Sequence, residues 1–130
     1  MYRQTTRAIQ VTVEPSFVEG ESSPDDGRYF WAYRIEISNL GGEVVRLRSR
    51  HWRITDANGK TEEVRGAGVV GKQPVLKPGE TFSYTSGCPL STPSGTMVGT
   101  YQAIGDDGEI FAVAIPAFSL DLPDAGRILH

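Results

Sequence analysis

Apolar residues alternate with polar residues along most of the chain. Ile9, Val11 and Val13 are separated by single polar residues, and residues 29–37 repeat the pattern with aromatic and β-branched side chains. A period of two puts successive side chains on opposite faces of a strand, so each run predicts a strand with one buried face. Nowhere do apolar residues recur at helical spacing next to capping signals. The pattern therefore predicts an all-β chain.

Turn-forming residues separate the predicted strands. Residues 39–42, 56–59, 77–80 and 105–108 are rich in Gly, Asn, Asp and Pro, which favour tight turns. Residues 66–78 and 88–95 are predicted to be irregular. We count about seven or eight strands, which predicts an antiparallel two-sheet β-sandwich. With no internal repeat, residues 1–130 are interpreted as one domain.

One strand changes the side on which its apolar residues lie. Val45 and Leu47 are apolar at odd positions, whereas Trp52 and Ile54 are apolar at even ones. An alternating pattern cannot change parity without an extra residue, so we expect a β-bulge between Arg48 and His51. The polar strand that follows, residues 60–64, is typical of a sheet edge, where homodimer formation or strand addition by a partner is one expectation.

Composition narrows the class of protein. Hydrophobic residues make up 38% and charged residues 22%, and the net charge is −3. These values indicate a globular chain, and the negative charge argues against a nucleic-acid partner. The lone cysteine, Cys88, suits a reducing compartment. Residues 1–7 do not resemble a signal peptide, and no apolar run approaches the ~20 residues of a membrane span. We expect a cytoplasmic protein without a membrane partner.

A glycine motif is the sharpest candidate site. It consists of Gly66, Ala67, Gly68, Val69, Val70 and Gly71. A dinucleotide-binding fold would require a helix directly after these glycines, and Pro74 argues against one. A flexible loop can still align backbone amides around an anion, with Arg65 and Lys72 supplying positive charge. If so, a bulky residue at Gly68 should abolish ligand binding and leave the fold intact. The alternative is a packed or mobile loop whose glycines only permit unusual backbone angles.

A second candidate is basic. Arg46, Arg48 and Arg50 alternate, so ahead of the expected bulge they would share one strand face. Guanidinium groups in a row can hold phosphates or the acidic surface of a partner. The alternative is a solvated outer face paired across strands with glutamates.

Neither catalysis nor metal binding has a recognisable motif. A nucleophilic cysteine needs a base, and the only histidines, His51 and His130, form no local motif with Cys88. Two histidines and one cysteine at wide spacing do not match a zinc site. We therefore expect no catalytic residue, no metal and no cofactor.

Three segments in the second half of the chain carry a distinctive pattern. They are Gln73-Pro74-Val75, Lys77-Pro78-Gly79-Glu80 and the run Tyr84-Thr85-Ser86-Gly87-Cys88-Pro89-Leu90-Ser91-Thr92-Pro93-Ser94-Gly95-Thr96-Met97. In these segments the chain resembles the ApaG family. The resemblance implies a sandwich of the immunoglobulin or fibronectin type III kind and an association with cobalt resistance and magnesium efflux. It also implies a link to genes for diadenosine tetraphosphate hydrolysis and ribosomal RNA methylation. Related eukaryotic domains act as interaction modules in F-box proteins and in a polymerase-interacting protein.

The sequence thus favours a non-enzymatic binding module with an unidentified protein partner. Two alternatives stay open. One is a sensor of phosphate or of a nucleotide of the diadenosine polyphosphate type, bound at residues 66–71. The other is a hydrolase of polyphosphates. Fold analogy alone does not choose among the three.

Overall fold

A computed structural model describes residues 1–123 of the chain. Apart from two short 3-10 helices, Glu19–Glu21 and Pro24–Asp26, its regular structure consists of strands. The strands are β1 (Tyr2–Thr6), β2 (Ile9–Phe17), β3 (Tyr29–Asn39), β4 (Val45–Asp56), β5 (Thr61–Ala67), β6 (Val75–Leu76), β7 (Thr81–Leu90), β8 (Gly95–Gly105) and β9 (Ile110–Leu120).

The strands form two antiparallel sheets. One has the order β1-β2-β3-β7, and the other has the order β5-β4-β8-β9, with the short β6 pairing with the start of β4. Alternate residues of both sheets bury their side chains between the layers, as the period-two pattern predicted. The predicted all-β sandwich is confirmed. It has nine strands within residues 1–123, compared with the seven or eight expected.

The core is continuous between the sheets. Ile9, Val11 and Val13 of β2 are fully buried, and burying an aliphatic side chain of this size contributes about 1.5–3 kcal/mol. At one end of the core, the rings of Trp52 and Phe118 meet edge to face, with their centroids 5.9 Å apart and their planes at 88°. Aromatic pairs prefer such tilted contacts, which link β4 with β9.

The β-bulge predicted in β4 is confirmed. Leu47 pairs with Ala103 and Ser49 pairs with Gln102, so Arg48 is the extra residue opposite β8. It is the first residue of the predicted interval. The extra residue lets Val45 and Leu47 on one side of the bulge, and Trp52 on the other, all face the core.

A second bulge, in β9, was not predicted. Gly99 pairs with Ile115 but Met97 pairs with Phe118, so β9 has one residue more than β8 over this stretch. Pro116 lies within it, and a bulge is where a sheet accommodates a proline that cannot donate a backbone hydrogen bond. The sequence signal was present: Val113 and Ile115 are apolar at odd positions, whereas Phe118 is apolar at an even one.

Residues 39–42, predicted to form a tight turn, lie in the connection between the two sheets, because β3 and β4 belong to different ones. Two details of the predicted organisation were wrong. Residues 88–90, predicted to be part of a loop, extend β7. The segment Tyr2–Thr6, to which no strand was assigned, forms β1 along β2. Among the described residues, no helix is long and apolar enough to cross a bilayer.

Candidate binding surfaces on the two sides of strand β4

The bulge in β4 sends neighbouring side chains to opposite sides of the sheet. Beyond Arg48, the even positions turn toward the core, so Arg50 follows the same side as buried Trp52. Arg46, which precedes the bulge, is exposed between buried Val45 and Leu47. The expectation that Arg46, Arg48 and Arg50 share one face is therefore wrong. The three side chains would share one face only if the bulge followed Arg50.

Arg50 lies in a cleft between the two sheets. The cleft has a volume of about 280 Å³ and opens between β5 and β7. Tyr33, Trp52 and Cys88 line it together with Arg50. The Nη1 atom of Arg50 donates hydrogen bonds to the carbonyl oxygens of Ala67 and Gly68, each at 3.2 Å. The guanidinium thus holds the end of β5 against β4.

Three tyrosines extend this inner cluster. The hydroxyl groups of Tyr84 and Tyr101 are hydrogen-bonded to each other across the two sheets. Burial raises the pKa of both hydroxyls, and it also raises the pKa of Tyr33. The positive charge of Arg50 acts in the opposite direction on all three pKa values, but it is the weaker influence. The tyrosines are therefore held neutral over the physiological pH range.

The glycine motif forms the end of β5 and a tight turn. Val69 and Lys72 exchange backbone hydrogen bonds of 2.6 and 3.1 Å, and the two residues between them, Val70 and Gly71, have φ angles of 46° and 75°. Two positive φ angles in a two-residue loop define a type I′ turn. The amide of Gly68 donates to the carbonyl of Arg48 at 2.5 Å. Three amides of the segment are therefore already engaged with backbone carbonyls.

Close approaches explain two glycines of the motif. A Cβ at Gly66 would lie 2.6 Å from Nη1 of Arg50. A Cβ at Gly68, where φ is +68°, would lie 2.5 Å from the carbonyl oxygen of Lys72. The expectation that a bulky residue at Gly68 would spare the fold is wrong, because a backbone atom occupies the space. Ligand binding by residues 65–72 stays a prediction.

The outer side of β4 carries an exposed charge cluster. Nε2 of His51 lies 2.8 Å from Oε1 of Glu63, and Nη2 of Arg65 lies 3.5 Å from the same oxygen. The hydrogen bond from His51, followed by the charge of Arg65, lowers the pKa of the Glu63 carboxyl. Arg65 therefore has a neighbouring carboxylate, whereas Lys72 is exposed on the turn.

The same outer face contains a broad depression. This outer trough has a volume of about 750 Å³ and runs across four strands of the five-stranded sheet. Its floor and rims include Ser49, His51, Arg65, Ala67, Thr100, Gln102, Ile110 and Ala112. One rim is basic and the other is apolar, with Ile110 51% exposed.

Comparison with known proteins identifies the family. The sequence model of the ApaG domain (DUF525) matches residues 19–105. The chain belongs to the ApaG family. It is 66% identical to Protein ApaG of Methylobacterium sp. (strain 4-46) and 59% identical to Protein ApaG of Xanthobacter autotrophicus, each over the full length of both chains. A crystal structure of an ApaA-designated protein from Bordetella pertussis is 47% identical, with a TM-score of 0.88 over 95% of this chain and 99% of that one.

The stretch that carries the ApaG resemblance lines the inner cluster and then connects the two sheets. Tyr84 and Cys88 lie on β7 and face the inner cluster, and the Ser/Thr/Pro residues that follow connect β7 to β8. Within that connection, buried Thr92 accepts a hydrogen bond from the amide of Ala57 and donates one to the carbonyl of Ser94. The conspicuous run of the family is thus an inter-sheet connection with satisfied polar groups.

Cys88 and His51 are separated in this ApaG chain. The Cys88 side chain is buried, and burial raises the pKa of its thiol to about 11. His51 lies on the outer face of the other sheet, bonded to Glu63. His130 lies outside the described residues. Sequence reasoning missed the inner cluster of Arg50 and three tyrosines, although a bulge before Arg50 was the signal that could have placed it inside.

Proposed function

We propose that this ApaG-family chain is a non-enzymatic module that binds a protein partner. The observation that carries the proposal is the outer trough on the five-stranded sheet. Its floor is built from regular strands, which present side chains in fixed positions and at little entropic cost on binding. Its volume is large enough to receive protruding side chains of a partner.

The lining of the trough indicates what it would recognise. Ile110 and Ala112 offer an apolar wall. On the opposite rim, the Arg65 guanidinium supplies hydrogen-bond donors beside the His51–Glu63 hydrogen bond. Interfaces commonly combine an apolar anchor with polar groups at the rim. A partner segment with an apolar side chain flanked by acidic residues fits this arrangement.

The chemistry of the buried groups supports a role without catalysis. A nucleophilic cysteine needs a lowered pKa and a nearby base, whereas the Cys88 thiol is held neutral and His51 faces away from it. The tyrosine hydroxyls of the inner cluster are likewise held neutral. The association with cobalt resistance and magnesium efflux that the ApaG resemblance implies would then be indirect, through another protein or a nucleotide pool.

The phosphate or nucleotide hypothesis for residues 65–72 has weaker support. An anion nest needs free amides that converge, and the amides of Gly68, Val69 and Lys72 donate to carbonyls. An amide NMR titration with pyrophosphate, ATP and diadenosine tetraphosphate, with and without magnesium, tests it directly. Saturable shifts confined to these residues would bring the sensor hypothesis ahead of the protein-binding proposal.

A pair of matched variants tests the trough. Ala112→Arg places a long side chain in the trough, whereas Thr12→Arg places it on the outer face of the other sheet. A partner captured from extract and then purified should bind the native domain and Thr12→Arg with equal, saturable affinity. It should bind Ala112→Arg at least about tenfold more weakly, which corresponds to 1.4 kcal/mol. Equal binding by all three would reject the trough as the binding surface.

A further inference from the structure

Strand β5 is an exposed edge of its sheet. Its charge pattern is complementary to that of a second, antiparallel copy of the same strand. The strand pairs with β4 along one side only, and five of its seven residues from Thr61 to Arg65 are exposed in succession. An edge of this length is open to pairing with another strand. Val64, at its centre, is 40% exposed. The directions of the backbone groups of β5 determine which strand can pair with this edge.

The backbone groups of alternate β5 residues point away from β4. Asp56 donates to the carbonyl of Lys60, and at the other end of the strand Gly68 donates to the carbonyl of Arg48. Even-numbered residues thus bond to β4, because antiparallel pairs alternate between bonded and non-bonded positions. The amides and carbonyls of Glu63 and Arg65 therefore point outward, where a second strand can bond to them.

We propose that two copies of this chain pair through β5 in antiparallel orientation, with the two-fold axis passing at Val64. Residue numbers of opposing positions then sum to 128. Glu63 of each copy faces Arg65 of the second copy, both on the outer face of the sheet. These two positions have outward backbone groups, so the pairing also completes the hydrogen bonds of the edge.

The charges select this register over its neighbours. A pairing centred on Glu63 would oppose two glutamates, and one centred on Arg65 would oppose two arginines. Like charges directly opposite each other destabilise a strand pair, whereas opposite charges stabilise it. Registers centred between residues would set outward backbone groups against inward ones. The pairing centred on Val64 is the one that satisfies both requirements.

The inner face of β5 supports the same register through a second, independent charge pair. In the same register, Glu62 faces Gly66 of the second copy, which has no side chain. Arg50 lies across that glycine, within 2.6–2.8 Å of where a Cβ would be. Among residues 1–123, Arg50 forms no salt bridge. Pairing of the two strands would therefore bring a carboxylate of one copy to the unpaired guanidinium of the other, at the mouth of the inner cleft.

Charge exchange tests the register without depending on the stability of one variant. Glu63→Arg opposes two arginines at each pair, and Arg65→Glu opposes two glutamates. By sedimentation velocity at high protein concentration, the native chain should be dimeric. Each variant should dissociate with a Kd raised about tenfold or more. Mixing the two variants restores opposite charges at both pairs, so the mixture should form heterodimers as tight as the native dimer.

A mixture that stays monomeric would overturn the proposal, since a folding defect in one variant shows separately in circular dichroism. A native chain that stays monomeric at every concentration would overturn it as well. The control Arg34→Glu, on the exposed face of the other sheet, should dimerise like the native chain.

A cross-link fixes the axis. Cα atoms of a non-bonded antiparallel pair lie about 4.5 Å apart, within the range that a disulfide spans. Val64→Cys should therefore form a covalent dimer under mild oxidation. Lys60→Cys on the same edge should not, because its two copies would be roughly eight residues, or about 26 Å, apart. Equal cross-linking of the two variants would overturn the register.

Discussion

Arg50 and His51 are neighbours in the chain but lie in contrasting surroundings. Arg50 is turned into the sandwich, where it bonds two backbone carbonyls and stands close to three tyrosines with raised pKa values. His51 is turned outward, where it meets an exposed carboxylate at the rim of a broad trough. The comparison shows that one inserted residue, Arg48, decides which of the two side chains enters the sandwich and which faces the outer trough.

The inner side should tolerate change poorly because its contacts are with the backbone. Gly68 tests this most severely. In Gly68→Ala, a left-handed φ for a side-chain-bearing residue costs about 1–2 kcal/mol, and the collision with the Lys72 carbonyl adds to it. We expect a total loss of about 3 kcal/mol in the free energy of unfolding, measured in urea.

Gly59→Ala is the matched control for that variant. Its φ is +82°, but a Cβ there would have open space around it, so only the conformational cost of about 1–2 kcal/mol should appear. Equal losses for the two variants would mean that the turn after β5 relaxes freely and that the inner side is not tight.

Arg50→Met isolates the guanidinium. The apolar stem is kept, while the two hydrogen bonds to Ala67 and Gly68 are lost and their carbonyls must find other donors. We expect a loss of about 2 kcal/mol by the same unfolding measurement in dilute protein. Arg53→Met, on the outer side of the same strand, should change the free energy of unfolding by less than about 0.5 kcal/mol. Equal losses in the free energy of unfolding for Arg50→Met and Arg53→Met would contradict the distinction between the inner and outer sides of β4.

The buried tyrosines predict an alkaline limit to stability. Tyr84 and Tyr101 have pKa values raised by burial, while tyrosines of the unfolded chain ionise near 10.0. Their contribution is fully present below the unfolded pKa and is lost as the pH rises toward the folded one. By pH 10, the free energy of unfolding should have fallen by about 1 kcal/mol. Tyr84→Phe should make the decline shallower, and an unchanged slope would place the effect elsewhere.

The outer pair should show the smallest effect. His51→Gln removes the ring nitrogen that bonds Glu63, so the pKa of Glu63 should rise toward its usual value of 4.5. Carboxyl-carbon NMR measures this shift. Because Glu63 is exposed and His51 is partly exposed, the free energy of unfolding should remain unchanged within error. A loss comparable with that of Arg50→Met would contradict the distinction between the two sides.

Strand alternation predicted most of the sandwich because buried faces dominate its energetics. Residues of β2 and β3 follow the period-two rule, and the parity change in β4 predicted the bulge. The same rule overlooked β1, whose exposed residues pair along an edge and carry little alternation. It also overlooked the end of β7, where Pro89 on an edge strand resembled a loop signal. Edges carry weaker sequence signals than buried strands.

The candidate site was harder to predict because it depends on contacts between distant segments. The glycine motif suggested an anion loop, but Gly66 makes room for an arginine that the bulge turns inward. Nothing near Gly66 in the sequence indicates that contact. The outer trough likewise draws on four strands, from Ser49 to Ala112. Alternation shows which residues face outward, but it does not show where a sheet surface is hollow.

The buried cysteine gives the molecule an intrinsic reporter of its own opening. The Cys88 side chain is 2% exposed on a strand at the edge of one sheet. Although Cys88 lines the inner cleft, so little of it is exposed that we expect a thiol reagent to modify it when β7 moves away from β5 and β4. The rate of modification then reports the population of opened molecules. When closing outpaces labelling, that rate measures a local free energy, and when labelling is faster it measures the opening rate itself. The native thiol of Cys88 thus allows the rate and free energy of local opening to be measured without an engineered probe.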